Sequence, residues 1–170
     1  MKVWDDNVFP MAYFITWRTY GTWLHGDERG SVDRYHNQFG QEKLSANEIR
    51  RKQHKAKLKS DPVTLDAARR RVVTQAISDV CGYRNWHLHA VNVRTNHAHL
   101  VTAVGALKPE VPLRDFKSYS TRALRNAGLW NFDHSPWVDG GSNRYLWAED
   151  SLWCACNYVL NEQGVTLPDF

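Results

Sequence analysis

The chain has 170 residues, of which 42% are apolar and 24% are charged, and this balance excludes wholesale disorder. No apolar run approaches the roughly 18 residues that span a bilayer, and residues 1–10 lack the continuous apolar stretch of a secretory signal. The three cysteines are too few for a disulfide framework. We therefore expect one cytoplasmic domain that covers residues 1–170 and does not enter the membrane.

The positive charge of the chain is concentrated in one segment. The net charge is +4, but residues 50–71 contain nine basic and two acidic side chains, so this segment carries +7 and the rest of the chain −3. Such a concentration is typical of a surface for a polyanion, although a solvated helix face gives the same pattern. The eight tryptophans suit an apolar core, and they equally suit stacking on unpaired bases.

The pattern of apolar and turn residues predicts four strands and four helices. Ser45 to Glu48 has the form of a capping box that opens a basic helix. The next helix has an apolar stripe with a period near 3.6, with Gly82 just past its end. Pro109 and Pro112 break the chain before the third helix. In chain order, the predicted elements are a strand at 11–17, helices at 45–59 and 65–81, strands at 86–93 and 97–104, a helix at 113–127, a short strand at 144–147 and a helix at 149–162.

This order of elements predicts an α+β fold. The economical arrangement is a ferredoxin-like antiparallel sheet with helices on one face, which leaves the other face partly open to a ligand. The basic helix near residues 41–60 does not belong to that arrangement. We therefore interpret residues 41–62 as an inserted helical segment.

The predicted hairpin contains two pairs of histidines. Successive side chains of a strand point to opposite faces, so His97 and His99 project from one face about 7 Å apart, a spacing at which two imidazoles can bind one divalent ion. His87 and His89 have the same spacing on the partner strand, and a one-residue shift in register changes which pair faces a ligand. Either pair can also be half-buried and satisfied by hydrogen bonds. Because the sequence does not fix the register, periodicity does not choose between the two pairs.

The helix after the hairpin carries a tyrosine among cations. Tyr119 lies at the edge of the apolar stripe, three residues after Phe116, with Lys117 and Arg122 nearby. A tyrosine at such a boundary usually packs with its hydroxyl toward water. Together with a metal-binding pair, however, it supplies the parts for cutting a phosphodiester: a phenol oxygen that attacks phosphorus, a Lewis acid, and cations that neutralise phosphate charge.

These features together resemble the single-tyrosine HUH transposases, that is, the insertion-sequence-200-like group and the REP-associated tyrosine transposases. The most specific features are an Asn-His-Ala-His strand at 96–99 and a Lys-Ser-Tyr helix at 117–119, in the family's order. The resemblance covers most of the chain outside residues 31–63. The matching stretches are residues 13–24, 86–101, 114–124, 141–147 and 158–164.

The resemblance implies that His97 and His99 are metal ligands, that Tyr119 is the nucleophile, and that His87 and His89 lie on a strand without ligands. Members of the family cleave and transfer single-stranded DNA through a 5′-phosphotyrosine intermediate, recognise DNA hairpins and use Mg²⁺ or Mn²⁺. They usually work as dimers. The expectation is therefore a bacterial, nucleoid-associated DNA transposase that acts as a homodimer.

The chain departs from the family's pattern at the position of the third metal ligand and, mildly, at Ala98, the middle residue of the histidine motif. Many members carry an Asn or Gln one helical turn after the tyrosine as a third metal ligand, whereas this chain has Ala123 there. Asp115, one turn before Tyr119, is the replacement that we expect to supply an oxygen. The departure favours one alternative, a hairpin-DNA-binding protein that cleaves weakly or not at all. A separate alternative is a metallohydrolase that uses His97 and His99 with water as the nucleophile.

We expect DNA contacts from basic side chains in the inserted segment and around the predicted site. Such contacts neutralise phosphates, and surface ion pairs are the competing explanation for each residue. The expected DNA-binding residues are Arg18, Arg94, Lys117, Arg122, Arg144, Arg50, Arg51, Lys52 and Lys55.

Overall fold

The computed structural model describes residues 8–27 and 45–168. In these residues the strands and helices follow the predicted order, and none of the helices is both long enough and apolar enough to cross a membrane. The elements are β1 (Ala12–Arg18), α1 (Glu48–Ala56), α2 (Ala67–Arg84), β2 (His87–Val93), β3 (His97–Ala103), α3 (Glu110–Asn126), β4 (Ser142–Leu146) and α4 (Glu149–Asn161).

The four strands form one antiparallel sheet in the order β2-β3-β1-β4. β1 lies in the middle, where Ile15 is opposite Leu100 of β3 and Tyr13 is opposite Tyr145 of β4. The β2–β3 hairpin contains an irregularity at His89, where the register shifts. Two helical crossovers, β1–α2–β2 and β3–α3–β4, complete the sheet, and this topology confirms the predicted α+β fold of ferredoxin-like type.

Two apolar cores lie on opposite faces of the sheet. The first core, between the sheet and helices α2 and α3, includes Ile15, Leu100 and the fully buried Phe116. The second core lies under α4, where Val159 packs with Val101 of β3. The expectation that the helices share one face is therefore wrong for α4. α4 follows the last strand instead of connecting two strands, so no crossover fixes its side.

The basic helix α1 lies against the loop that follows β1. Its N-cap is Asn47, not Ser45, because the Asn47 side chain accepts a hydrogen bond from the backbone N–H of Arg50. Gly26, with φ at 95°, brings the loop so close that a Cβ there would overlap the Asn47 carbonyl oxygen. No residue of α1 is buried, so its charges face solvent. Residues 28–44, including the predicted start of the insertion, lie outside the described residues.

Two further helix ends differ from the prediction for local reasons. α2 runs through Gly82, and its left-handed C-cap is Asn85, with φ at 56°. α3 begins before Pro112 rather than after it. A proline in the first turn of a helix lacks only an N–H that would have no intrahelical partner there, so it does not interrupt the helix.

Candidate functional site

The central strand β3 presents His97 and His99 on the face of the sheet that α4 partly covers. The alternate residues, Ala98 and Leu100, point into the first core, so the two imidazoles lie on the opposite face. Their ring centroids are 4.5 Å apart and their planes are inclined at 70°. We call His97 and His99 the histidine pair.

Each imidazole of the histidine pair is held through its Nδ1 atom. The Nδ1–H of His97 donates to the side-chain oxygen of Asn96 over 2.7 Å, and Nδ1 of His99 shares a 2.7 Å hydrogen bond with the Thr16 hydroxyl. Hydrogen bonds of this kind fix the ring orientation at metal-binding histidines and make Nε2 the atom that meets the ion. The two Nδ1 hydrogen bonds thus fix the orientation of both rings.

Burial keeps His99 uncharged. Only 9% of the residue is exposed. This burial, together with the charges of His97, Arg18 and Arg94, lowers the pKa of His99 to about 3. His99 is therefore neutral at physiological pH, which is the protonation state that a metal ligand needs.

Tyr158 of α4 reaches the histidine pair. Its ring centroid lies 5.7 Å from that of His99 and 5.8 Å from that of Phe14, edge-on to both rings. α4 is fixed here by Val159, whose side chain lies in the second core and whose carbonyl accepts a 2.9 Å hydrogen bond from the Asn92 amide. Tyr158 is 39% exposed. A phenol therefore stands beside an imidazole of the pair and is partly exposed to solvent.

Tyr119 lies on the other side of the sheet. It is partly buried against the first core, and the guanidinium carbon of Arg122 lies 5.1 Å from its ring centroid. α2 and α3 are both crossover connections, and right-handed crossovers place them on the same face, away from the histidine pair. The structure therefore does not bring Tyr119 to the histidine pair, and the expected meeting of these three side chains is not found within the chain.

Asp115 is engaged elsewhere and is not placed as a third metal ligand. It is 6% exposed on α3, and its carboxylate accepts hydrogen bonds from Arg84 of α2 at 2.8 Å and from Arg114 at 3.3 Å. The carboxylate thus ties α3 to α2 on the side of the first core. The expectation that it supplies an oxygen to the histidine pair is corrected by this ion-pair network.

Three of the expected DNA-binding residues lie on the same face as the histidine pair. Arg18 and Arg94 are close enough to His99 to help lower its pKa. Arg144 is opposite Phe14 in the β1–β4 register, so its side chain shares the face on which Phe14 packs against His99. These arginines place positive charge on the face of the sheet that carries the histidine pair.

The other expected DNA-binding residues are separate from the histidine pair. The ammonium group of Lys117 donates to the carbonyl oxygens of Val138 at 2.6 Å and Gly140 at 2.9 Å, so it holds the segment before β4. Arg122 lies over Tyr119 on α3. The four residues on α1 are all exposed: Arg50, Arg51, Lys52 and Lys55.

The rival histidines lie at the other end of the hairpin. His87 is opposite Ala103, whereas His97 begins β3. The rings of His87 and His89 are 4.4 Å apart, and burial is the larger of two causes that lower the pKa of His89, the other being His87. Neither ring is part of the cluster around Tyr158.

The histidine pair fits a divalent cation in part. Within residues 8–27 and 45–168, no group of three or more His, Cys, Asp or Glu side chains is close enough to hold a metal ion. Imidazole nitrogen suits transition-metal ions, whereas Mg²⁺ takes oxygen ligands in a strict octahedron. Of the two expected ions, Mn²⁺ therefore fits this pair of nitrogens better, with water or phosphate oxygens at its other positions.

One signal in the sequence points to Tyr158 rather than to Tyr119. Residue 158 opens one of the stretches that match the HUH family. The apolar Ala98 and Leu100 must face the crossover helices, so the histidine pair faces away from α3. Among the helices that the structure describes, α4 lies outside the crossovers and brings Tyr158 to the pair.

Comparison with known proteins finds solved structures that are similar to this chain. No family model and no curated protein matches the chain. One similar solved structure is a REP-associated tyrosine transposase bound to a REP hairpin, with 11% identity, a TM-score of 0.48, and coverage of 94% of this chain and 68% of that one. Another is a candidate transposase from Deinococcus radiodurans R1, with 14% identity, a TM-score of 0.47, and coverage of 97% and 100%. Similarity at this level carries no functional argument.

Proposed function

We propose that the chain is a metal-assisted DNA strand transferase of the HUH tyrosine type, with Tyr158 as its nucleophile. The observation that carries the proposal is the contact between the Tyr158 and His99 rings, on the face that also presents His97. The resemblance of the Asn-His-Ala-His strand to the HUH family supports the same chemistry. Tyr158 replaces Tyr119 in the proposal because it lies on the same side of the sheet as the histidine pair.

In the proposed reaction, the phenol oxygen of Tyr158 attacks the phosphorus of a DNA phosphodiester, and the bond from phosphorus to the 3′ oxygen breaks. The phenol gives its proton to solvent and the departing oxygen takes one up, so the products are a 5′-phosphotyrosine and a free 3′ hydroxyl. A divalent ion bound by the histidine pair supplies Lewis acidity. Arg18 and Arg94 neutralise the negative charge of the phosphate. Attack by another 3′ hydroxyl on the phosphotyrosine transfers the strand.

The choice of Tyr158 also changes which residue stands at the third-ligand position. Counted from Tyr119, that position is Ala123, which has no ligand atom. Counted from Tyr158, it is Glu162, a carboxylate. In the structure, Glu162 accepts a 2.7 Å hydrogen bond from the Asn157 amide, so we propose that it turns to the ion only after exchanging this bond.

The convergence of Tyr158 with the histidine pair occurs within a single subunit. A partner subunit is thus not needed to bring the nucleophile to the imidazoles. The homodimer remains a prediction that the molecular mass in solution tests. The hairpin substrate and the choice of Mn²⁺ over Mg²⁺ are likewise predictions, which cleavage assays with each substrate and ion test.

The decisive experiment compares Tyr158→Phe with Tyr119→Phe, because each change removes one hydroxyl and keeps the ring. The variants are incubated with Mn²⁺ and single-stranded hairpins drawn from DNA that flanks the gene. The DNA is labelled at its 3′ end, since a 5′-phosphotyrosine link retains the 3′ fragment. We expect covalent adducts on a denaturing gel for the wild type and Tyr119→Phe, and none for Tyr158→Phe. Adducts that persist in Tyr158→Phe and vanish in Tyr119→Phe would identify Tyr119 of α3 as the nucleophile.

A second candidate is a hairpin-DNA-binding protein without cleavage. It is favoured by the lack of a third grouped metal ligand among the described residues. It predicts hairpin binding with no adduct and no cut for any variant. A metallohydrolase with water as nucleophile predicts cutting that survives Tyr158→Phe and leaves no adduct.

A further inference from the structure

A cleft of about 600 Å³ lies where α1, the segment between α1 and α2, and the loop after α3 meet. Its walls include Lys55 of α1, Arg69 of α2 and the loop residues Trp130, Phe132 and His134. The histidine pair and Tyr158 are not among the described residues that line it. Its volume falls in the range of ligand pockets, about 300–1,000 Å³.

One wall of the cleft is a fixed set of aromatic rings. Phe132 and His134 are stacked with centroids 5.4 Å apart, and Trp130 packs against both, at 4.9 and 5.3 Å. Arg125 donates to the carbonyl oxygens of Phe132 and Asp133 at 3.1 and 2.9 Å, and the Trp130 indole N–H donates to the His134 carbonyl at 2.8 Å. These bonds hold the loop in place while 56% of Phe132 stays exposed. The wall is thus a preorganised stacking surface.

The other walls of the cleft are basic. Lys55, Lys59 and Arg69 line it, against the single carboxylate of Asp61. Arg69 is fixed by a 3.1 Å hydrogen bond from its Nε to the Leu129 carbonyl. Within the part of the chain that the structure describes, neither lysine forms an ion pair. Both ammonium groups are therefore available to an anionic ligand.

We propose that this cleft binds an unpaired nucleotide of single-stranded DNA, with the base stacked on the exposed ring of Phe132 and the phosphate held by Lys55 and Lys59. Aromatic faces beside cations are the combination with which proteins bind single strands. An acidic peptide would use the cations but leave the exposed ring faces unoccupied. The choice of DNA rests on the proposed function, and the cleft would hold a part of the strand away from the bond that is cut.

The test is a titration of the full chain with fluorescein-labelled oligothymidylate, followed by anisotropy. Phe132→Ala is expected to weaken binding by about 5- to 150-fold, the range for the loss of one base stack. Phe132→Tyr, which keeps the ring, is expected to retain the affinity. Tyr83→Ala is the matched control, because it removes a 76% exposed ring from α2 outside the cleft, and we expect wild-type binding from it.

The lysines are tested in the same assay. Lys55→Gln with Lys59→Gln is expected to weaken binding and its salt dependence, whereas Lys108→Gln, an exposed lysine before α3, is expected to change neither. Equal affinities of the wild type and Phe132→Ala overturn the proposal. Tighter binding of polyglutamate than of oligothymidylate, with no loss in Phe132→Ala, also overturns it and assigns the cleft to acidic peptides.

The adduct assay on Tyr158→Phe reports separately on the proposed function. If the wild type forms adducts and Phe132→Ala binds oligothymidylate with unchanged affinity, the strand-transferase proposal is supported and the nucleotide-binding proposal for the cleft is wrong. If Phe132→Ala binds more weakly and no variant forms an adduct, nucleotide binding in the cleft is supported and the strand-transferase proposal is wrong.

Discussion

Replacing Thr16 with valine tests whether the histidine pair is a metal site. The two side chains have nearly the same shape, so the change mainly deletes the 2.7 Å hydrogen bond to Nδ1 of His99. His99 is only 9% exposed, which limits replacement of the hydroxyl by water. A buried polar atom left without a partner costs about 1–3 kcal/mol. We expect the free energy of unfolding to fall by that amount.

The effect on metal binding is separate from the effect on stability. Loss of an outer hydrogen bond to a metal-binding histidine typically lowers metal affinity about 10- to 100-fold. We therefore expect calorimetric titration with Mn²⁺ to show weaker binding to Thr16→Val by a factor in that range. The measurement is made at a temperature where urea unfolding shows both proteins to be fully folded.

Thr102→Val is the matched control for this prediction. Thr102 is another sheet threonine and is fully buried, but its hydroxyl donates to the His87 carbonyl oxygen at 3.0 Å, away from the histidine pair. It is expected to lose stability and to bind Mn²⁺ like the wild type. Wild-type Mn²⁺ affinity in Thr16→Val would refute the reasoning, because the hydrogen bond would then not orient a ligand.

Two further changes probe residues on the other elements. Asp115→Asn is expected to lower the free energy of unfolding by about 1–3 kcal/mol, because it weakens the hydrogen bond from Arg84. We expect its Mn²⁺ affinity to be that of the wild type. Unchanged stability in urea together with abolished Mn²⁺ binding would instead identify Asp115 as a metal ligand. Reversal of Arg50, Arg51 and Lys52 to Glu is expected to weaken single-stranded DNA binding. The slope of log affinity against log salt should become shallower by about 0.7 for each phosphate that the helix no longer neutralises, and an unaltered slope would remove α1 from the interface.

The shared face of the histidine pair was predictable because it depends on local geometry. A strand alternates its side chains, and β3 shows this alternation clearly, with His97 and His99 on one face and the buried Ala98 and Leu100 on the other. The order of strands and helices was predictable from the same periodicities. The start of α1 at Asn47 was harder to predict, because Ser45 and Asn47 are both good N-cap residues.

Which tyrosine lies beside the histidine pair depends on how distant parts of the chain pack together. Tyr119 and Tyr158 both lie at the edge of an apolar helix stripe, so local pattern does not distinguish them. What distinguishes them is the face of the sheet that each helix covers. The role of Asp115 was hidden for a similar reason, since its partner Arg84 lies on another helix and comes near only when α2 and α3 pack together.

The way in which His99 is held links the proposed catalysis to complete folding. Its ring is fixed by Thr16 from one neighbouring strand and touched by Tyr158 from the final helix, so three distant parts of the chain must be assembled before phenol and imidazole meet. Under the proposed chemistry, a nascent or heat-damaged molecule with α4 undocked has no means of nicking the genome. Nicking should accordingly disappear in urea no later than the circular dichroism of the sheet, which makes activity a sensitive reporter of the native state.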